Sequence, residues 1–209
     1  MKNYLLLLFF TTNFLACSQT PDKEYKKYWE NGKLNEVGLL DDDGNKTGEF
    51  TYYYEDGALH AKVNYSKGIA NGESINYHYR GGKIWDEGKY EKGEKTGEWK
   101  GYYKTGELKS VLNYVNGKKF GECKYYYENG KLWQIGQFDK EQKGLWKHFY
   151  ENGELKGMGN HVNGNEIGEW KWYFENGQLE EIGNYEKGKE VGEWKYYDDK
   201  GNHIETIKN

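Results

Sequence analysis

The chain repeats itself about every 24 residues, and that period decides what it can fold into. Copies of one unit open at Gly48, Gly72, Gly97, Gly121, Gly144, Gly168 and Gly192, at spacings of 24, 25, 24, 23, 24 and 24 residues. A degenerate copy, with Tyr28-Trp29-Glu30-Asn31-Gly32-Lys33-Leu34 in phase, precedes them. About eight units, starting near 23, 48, 72, 97, 121, 144, 168 and 192, therefore fill residues 23–209. Such a chain has no single central core, because each unit packs on its sequence neighbours.

Each unit reads glycine, acid, aromatic, lysine, two or three more aromatics, Glu-Asn-Gly, leucine, and a second short run ending in an aromatic. Asn-Gly between two β-prone runs, as at Asn129-Gly130, Asn152-Gly153 and Asn176-Gly177, signals a β-hairpin with a type I′ turn. Centring the seventh hairpin on that turn sets Gly168 opposite Tyr185, Trp170 opposite Gly183, Trp172 opposite Glu181 and Phe174 opposite Leu179, all on one face. The other face carries Glu169, Lys171, Tyr173 and Glu175. Rings of Trp146 and Trp170 are expected over Gly159 and Gly183, where they offset the weakness of glycine in a strand.

The expected fold is all-β: an elongated, single-layer antiparallel sheet of about eight stacked hairpins, about 75 Å long before twist. No stretch has an amphipathic helical period that would supply a second layer over the Trp face. Aromatics at 18% and 29 glycines against one proline fit ring-packed hairpins despite 31% charged residues.

Before the array, Lys2, the apolar run Tyr4–Phe10 and Phe14-Leu15-Ala16-Cys17 read as a signal peptide over residues 1–16. The Leu-Ala-Cys ending resembles a lipobox with Cys17 as the lipidated residue, and Phe14 departs from the usual aliphatic; a conventional cleaved signal peptide and an uncleaved anchor are the alternatives. Residues 17–22 then form a tether carrying Pro21. This reading exports the protein to the cell envelope as a lipoprotein, and Ser18 after the cysteine points to an outer membrane, facing periplasm or cell surface. The lipid would be its sole membrane contact.

Charge narrows the partners. The net charge is −4 with Glu and Lys interleaved, no footprint for nucleic acid or anionic lipid. Cys123 stands in the Trp slot as a small apolar substitute. The five histidines are in phase with the repeat and spread over four units, so neither a metal nor a catalytic site is expected. Carboxylates recur with the repeat, and a catalytic pair would need a departure from phase; no cofactor is implied. Two aromatic ladders remain. Trp99, Trp146, Trp170 and Trp194, with Trp172, form the expected partner-binding face for another protein or a second copy; Tyr102, Tyr126, Tyr173 and Tyr197 on the opposite face are the alternative, a glycan-stacking row. Either ladder could also be the sheet's own cross-strand packing.

The unit exemplified by Gly168-Glu169-Trp170-Lys171, Glu175-Asn176-Gly177, Leu179, Gly183, Tyr185 and Gly188-Lys189 resembles the bacterial variant of the MORN repeat. The resemblance implies an extended single-layer sheet that binds proteins or lipids without catalysis, and antitoxins of the YwqK type, whose partner would be a toxin.

Overall fold

The structure, a computed structural model, describes residues 22–209. Sixteen antiparallel strands follow one another in a single sheet whose spatial order is the chain order. Strands pair as eight hairpins, from β1 (Lys23–Tyr28) with β2 (Leu34–Leu40) to β15 (Lys189–Tyr197) with β16 (His203–Lys208). The expected fold class is the observed one. The signal peptide and Cys17 lie outside the described residues.

The register near the turns differs from the expectation. Gly168, Trp170 and Trp172 of β13 (Asn165–Tyr173) do face Tyr185, Gly183 and Glu181 of β14 (Leu179–Glu186), but Leu179 pairs with Tyr173 rather than Phe174. The Asn-Gly turn is longer than a two-residue type I′ turn: the Gly177 amide donates to Phe174 O at 2.9 Å and the Phe174 amide to Gln178 O at 2.9 Å. Gly177 has φ +82°, whereas Asn176 is absent from the positive-φ residues. This is a three-residue loop closed by a left-handed glycine, the type I turn with a glycine bulge. Two-residue type I′ turns lie at the other end of most units, as where Lys187 and Gly188, with φ of 53° and 76°, join β14 to β15.

Asn176 has a different task. Its Oδ1 accepts from the Gln178 amide at 2.9 Å, and its Nδ2 donates to Asp199 O of the next hairpin at 2.7 Å. Asn31 and Asn129 bridge to Glu55 O and Glu151 O in the same way.

The aromatic residue opening each turn adds a second bridge. Tyr103, Tyr127 and Tyr150 each donate a hydroxyl hydrogen bond of 2.7 Å to a carbonyl of the following hairpin, on Tyr126, Phe149 and Tyr173 respectively. The Trp29 indole N–H donates to Tyr53 O at 3.2 Å and the Tyr54 hydroxyl to Tyr77 O at 3.4 Å in the same manner. One residue per hairpin is left over as a bulge in the second strand, and its side chain turns back over this aromatic. Thus His60 stands 4.3 Å from Tyr54, Trp133 6.1 Å from Tyr127, and the Lys156 ammonium 5.3 Å from Tyr150.

The core is the Trp face itself. Phe50, Trp99, Trp146, Trp170 and Trp194 are at most 3% exposed, one per junction between hairpins. Each ring lies flat on the glycine of the hairpin before it, not on the one across its own hairpin: a Cβ placed on Gly183 would sit 2.2 Å from the Trp194 ring, and one on Gly159 2.1 Å from that of Trp170. Tyrosines close these rings edge-on, as Tyr185 does to Trp194 at 5.1 Å. Where the preceding position is large, the slot residue is small: Val63 faces Ser74 and Leu112 faces Cys123. The junctions are therefore volume-matched pairs, which is how a single layer reaches interior packing.

Candidate binding surfaces

The sequence-predicted residues fall into different environments. Burial of Trp99, Trp146, Trp170 and Trp194 corrects the expectation that their faces meet a partner, because the glycine backbone and neighbouring rings already occupy them. Trp172 is half-buried and stacks on Trp170 at 5.6 Å and 27°. This cluster holds the two histidines of the sixth hairpin. His161 lies between Trp146 at 5.7 Å and Trp170 at 5.2 Å, with its Nε2 3.8 Å from Glu166. His148 lies 5.5 Å from Trp172 and 2.9 Å from the Gln134 amide. Burial pushes the His148 imidazole down to about 4, helped by His161 and Lys156; burial also lowers His161, against the pull of Glu166. Both rings are held neutral at pH 7.

Cys123 is similarly inert. It is buried, its Sγ donates to Gly136 O at 3.5 Å, and burial pushes its thiol up to about 11, away from the thiolate that reacts. Among the described residues no cluster of His, Cys, Asp and Glu could hold a metal ion.

Tyr102, Tyr126, Tyr173 and Tyr197 lie half-buried on the opposite face, as their place in the repeat requires. Their backbone carbonyls accept the bridges from the preceding hairpin at Tyr102, Tyr126 and Tyr173. The Tyr102 hydroxyl also donates to Glu87 at 2.5 Å, and burial with this carboxylate raises it to about 12. The rest of this face alternates Glu–Lys pairs along the strands, such as Lys124–Glu122 at 2.7 Å and Lys171–Glu169 at 2.9 Å, with half-buried apolar residues opposite the lysines, among them Val111, Ile135 and Ile182. Exposed pairs of this kind contribute little stability and mainly keep the face solvated.

The surface that the sequence reading missed is at the edge formed by the turns between units. Val115 at the end of β8 (Leu108–Val115) and Phe120 near the start of β9 (Lys118–Tyr126) are each 52% exposed. They line a groove of about 480 Å³ with Asn116, Lys118, Lys119, Lys140, Glu94 and Asp139. Its cause is a one-residue deletion: Asp139 pairs directly with Glu141 around Lys140 alone, φ 69°. The signal was present as the single 23-residue spacing, between Gly121 and Gly144.

A family profile described as MORN repeat variant matches residues 21–42, 46–67, 95–116, 121–140, 142–163 and 166–187, more than half of the chain. No protein of curated description matches. Among solved structures, the crystal structure of TcdB2-TccC3 aligns at 12% identity and a TM-score of 0.25, covering 88% of this chain and 12% of that one. The crystal structure of TcdB2-TccC3-Cdc42 aligns at 14% identity and a TM-score of 0.18, with the same coverage, 88% and 12%. The chain thus spans about an eighth of the length of the structures it is similar to.

Proposed function

The chain belongs to the MORN repeat variant family, a non-enzymatic type of repeat module that generally binds proteins or membranes, and from that premise we propose that it is a protein-binding array held at the cell envelope by a lipid on Cys17. The observation that carries the protein-binding part is the groove at Val115 and Phe120. It joins exposed apolar surface to a lysine rim on a rigid sheet, the combination of apolar centre and charged border that suits a protein partner. Three lysines, Lys118, Lys119 and Lys140, outnumber Glu94 and Asp139 and favour a partner surface with carboxylates around an apolar anchor. A toxin neutralised by occlusion is one such partner, and the anchor rests on Leu15-Ala16-Cys17.

The test is crosslinked capture of partners from the native cells by the full-length protein and by a Val115→Asp/Phe120→Asp variant. Both side chains are half in solvent, so the variant should melt within a few degrees of wild type. One protein captured by wild type and lost with the variant supports the groove. Equal capture by both moves the interface elsewhere. Incorporation of labelled palmitate, abolished by Cys17→Ser, tests the anchor.

A further inference from the structure

A second site lies on the Trp face at the junction of the third and fourth hairpins, where the repeat departs from its own pattern. In the slot that holds Tyr52, Tyr125, His148, Trp172 and Tyr196 in other hairpins, the third and fourth carry Asn76 and Gly101. The profile of the family passes over this third unit, between residues 67 and 95. The missing rings leave a notch of about 160 Å³. Gly101 pairs with Asp86 on one side and Ser110 on the other, so the floor is polar where elsewhere it is covered by a ring.

The lining is amphipathic. Trp85, a bulge residue 53% exposed, forms one wall, and Tyr114 lies at the other side. Asp86 Oδ1 accepts from Asn76 at 2.5 Å, and Asp86 Oδ2 is 3.5 Å from Lys95 Nζ, so the two charges offset each other. The Lys95 ammonium is in turn held 3.6 Å over the Trp99 ring. The Ser110 hydroxyl stands 2.7 Å from the place a Cβ on Gly101 would take.

We propose that this notch binds one pyranose ring. A sugar ring presents C–H faces to aromatic walls and hydroxyls that both donate and accept; the notch offers one exposed indole together with a carboxylate, an ammonium and a hydroxyl. Asp86 offsets Lys95, and Glu98 offsets Lys100 at 3.3 Å, so the Lys109 ammonium, 5.5 Å over the Tyr103 ring, is the excess positive charge of the lining and a further donor to a sugar oxygen. The volume is below the roughly 300 to 1,000 Å³ of sites for drug-sized ligands, which limits the occupant to a single ring. The site is separate from the Val115 and Phe120 groove and does not depend on it.

The experiment is titration of the full-length protein with methyl glycosides of glucose, galactose, mannose, N-acetylglucosamine and glucuronic acid, followed by calorimetry and tryptophan fluorescence. Saturable binding of at least one, with a millimolar or tighter Kd, is expected. It should weaken at least tenfold in Gly101→Tyr, which restores the ring that Tyr125 supplies in the next hairpin, and in Trp85→Ala, which removes an exposed wall. Both variants are checked for an unchanged melting temperature. Co-sedimentation with insoluble polysaccharide tells a polymer end from a free sugar, and either result supports the site. No saturable response to any glycoside, or equal binding by Gly101→Tyr, overturns it. The Val115→Asp/Phe120→Asp variant should titrate like wild type, so this result and that of the partner capture are read separately.

Discussion

At the scale of residues, the fold rests on volume matching between consecutive hairpins. Gly159 beneath Trp170 and Leu112 beside Cys123 are two solutions to one packing problem. Gly159→Leu alone drives a side chain into the Trp170 ring and should cost about 3 kcal/mol. Trp170→Cys alone empties the same space and should cost about 3 to 5 kcal/mol. Made together they reproduce the Leu112–Cys123 pair, and the double variant should be more stable than the sum by at least about 2 kcal/mol in denaturant melts; additivity would mean the junctions are not matched pairs. The same cluster sets the response to acid. The folded pKa of His148, about 4, is below its ordinary 6.5, so the unfolded chain binds the extra proton. Its stabilising contribution is complete above pH 6.5 and is lost as pH falls toward 4, a loss of about 2 to 3 kcal/mol by linkage. His161 adds to this in the same direction. His148→Tyr, using the residue that Tyr125 provides in the same slot, should flatten the melting temperature between pH 7 and 4, and an unchanged pH slope would reject the assignment.

At the scale of elements, the unit is a hairpin whose turn end is bonded to the next hairpin. Tyr150→Phe removes a hydroxyl bond to Tyr173 O and should cost about 1 kcal/mol in chemical denaturation. Phe174, which has no hydroxyl, is the natural form of that change at the last junction. Asn176→Ala removes both a turn bond and a bridge, so its loss, about 1 to 2 kcal/mol, should exceed that of Asn152→Ala, which removes the turn bond to the Glu154 amide without a bridge. The hairpin, its length and the alternation of faces were legible because period-two patterning and Asn-Gly are local signals. What connects hairpins was not, because a ring can turn to either neighbouring strand and the sequence does not say which. Trp170 pairs with Gly183 but lies on Gly159, and that choice turned an expected binding face into core. Asn-Gly also suits two turn geometries, and the extra bulge residue in each second strand decided for the longer one. The Val115 and Phe120 groove was legible only as a missing residue, which marks a place without telling what stands open there.

At the scale of the whole molecule, the open sheet of the described residues has two edges, β1, exposed except at half-buried Tyr25, and β16, exposed throughout. Joining β16 of one copy to β1 of another would continue the array and generate a filament, the hazard of any head-to-tail contact that does not close. The matching rule that builds the interior also blocks this. Such a junction would set Ile207, in the position of Gly183, against Tyr25, in the position of Trp170, whereas every interior junction sets a small residue against a large one. Charges reinforce the block at β1, where Lys23, Glu24, Lys26 and Lys27 hold water along the edge. The wild-type protein is therefore expected to run as a monomer in light scattering coupled to size exclusion. Ile207→Gly gives the last hairpin the floor that Gly183 gives the seventh, and it should produce concentration-dependent, elongated oligomers. Adding Tyr25→Asp to that variant should return it to a monomer, since the ring that would fill the new floor is gone. If Ile207→Gly stays monomeric at every concentration, the edge charges suffice and the residue at the glycine position does not control assembly.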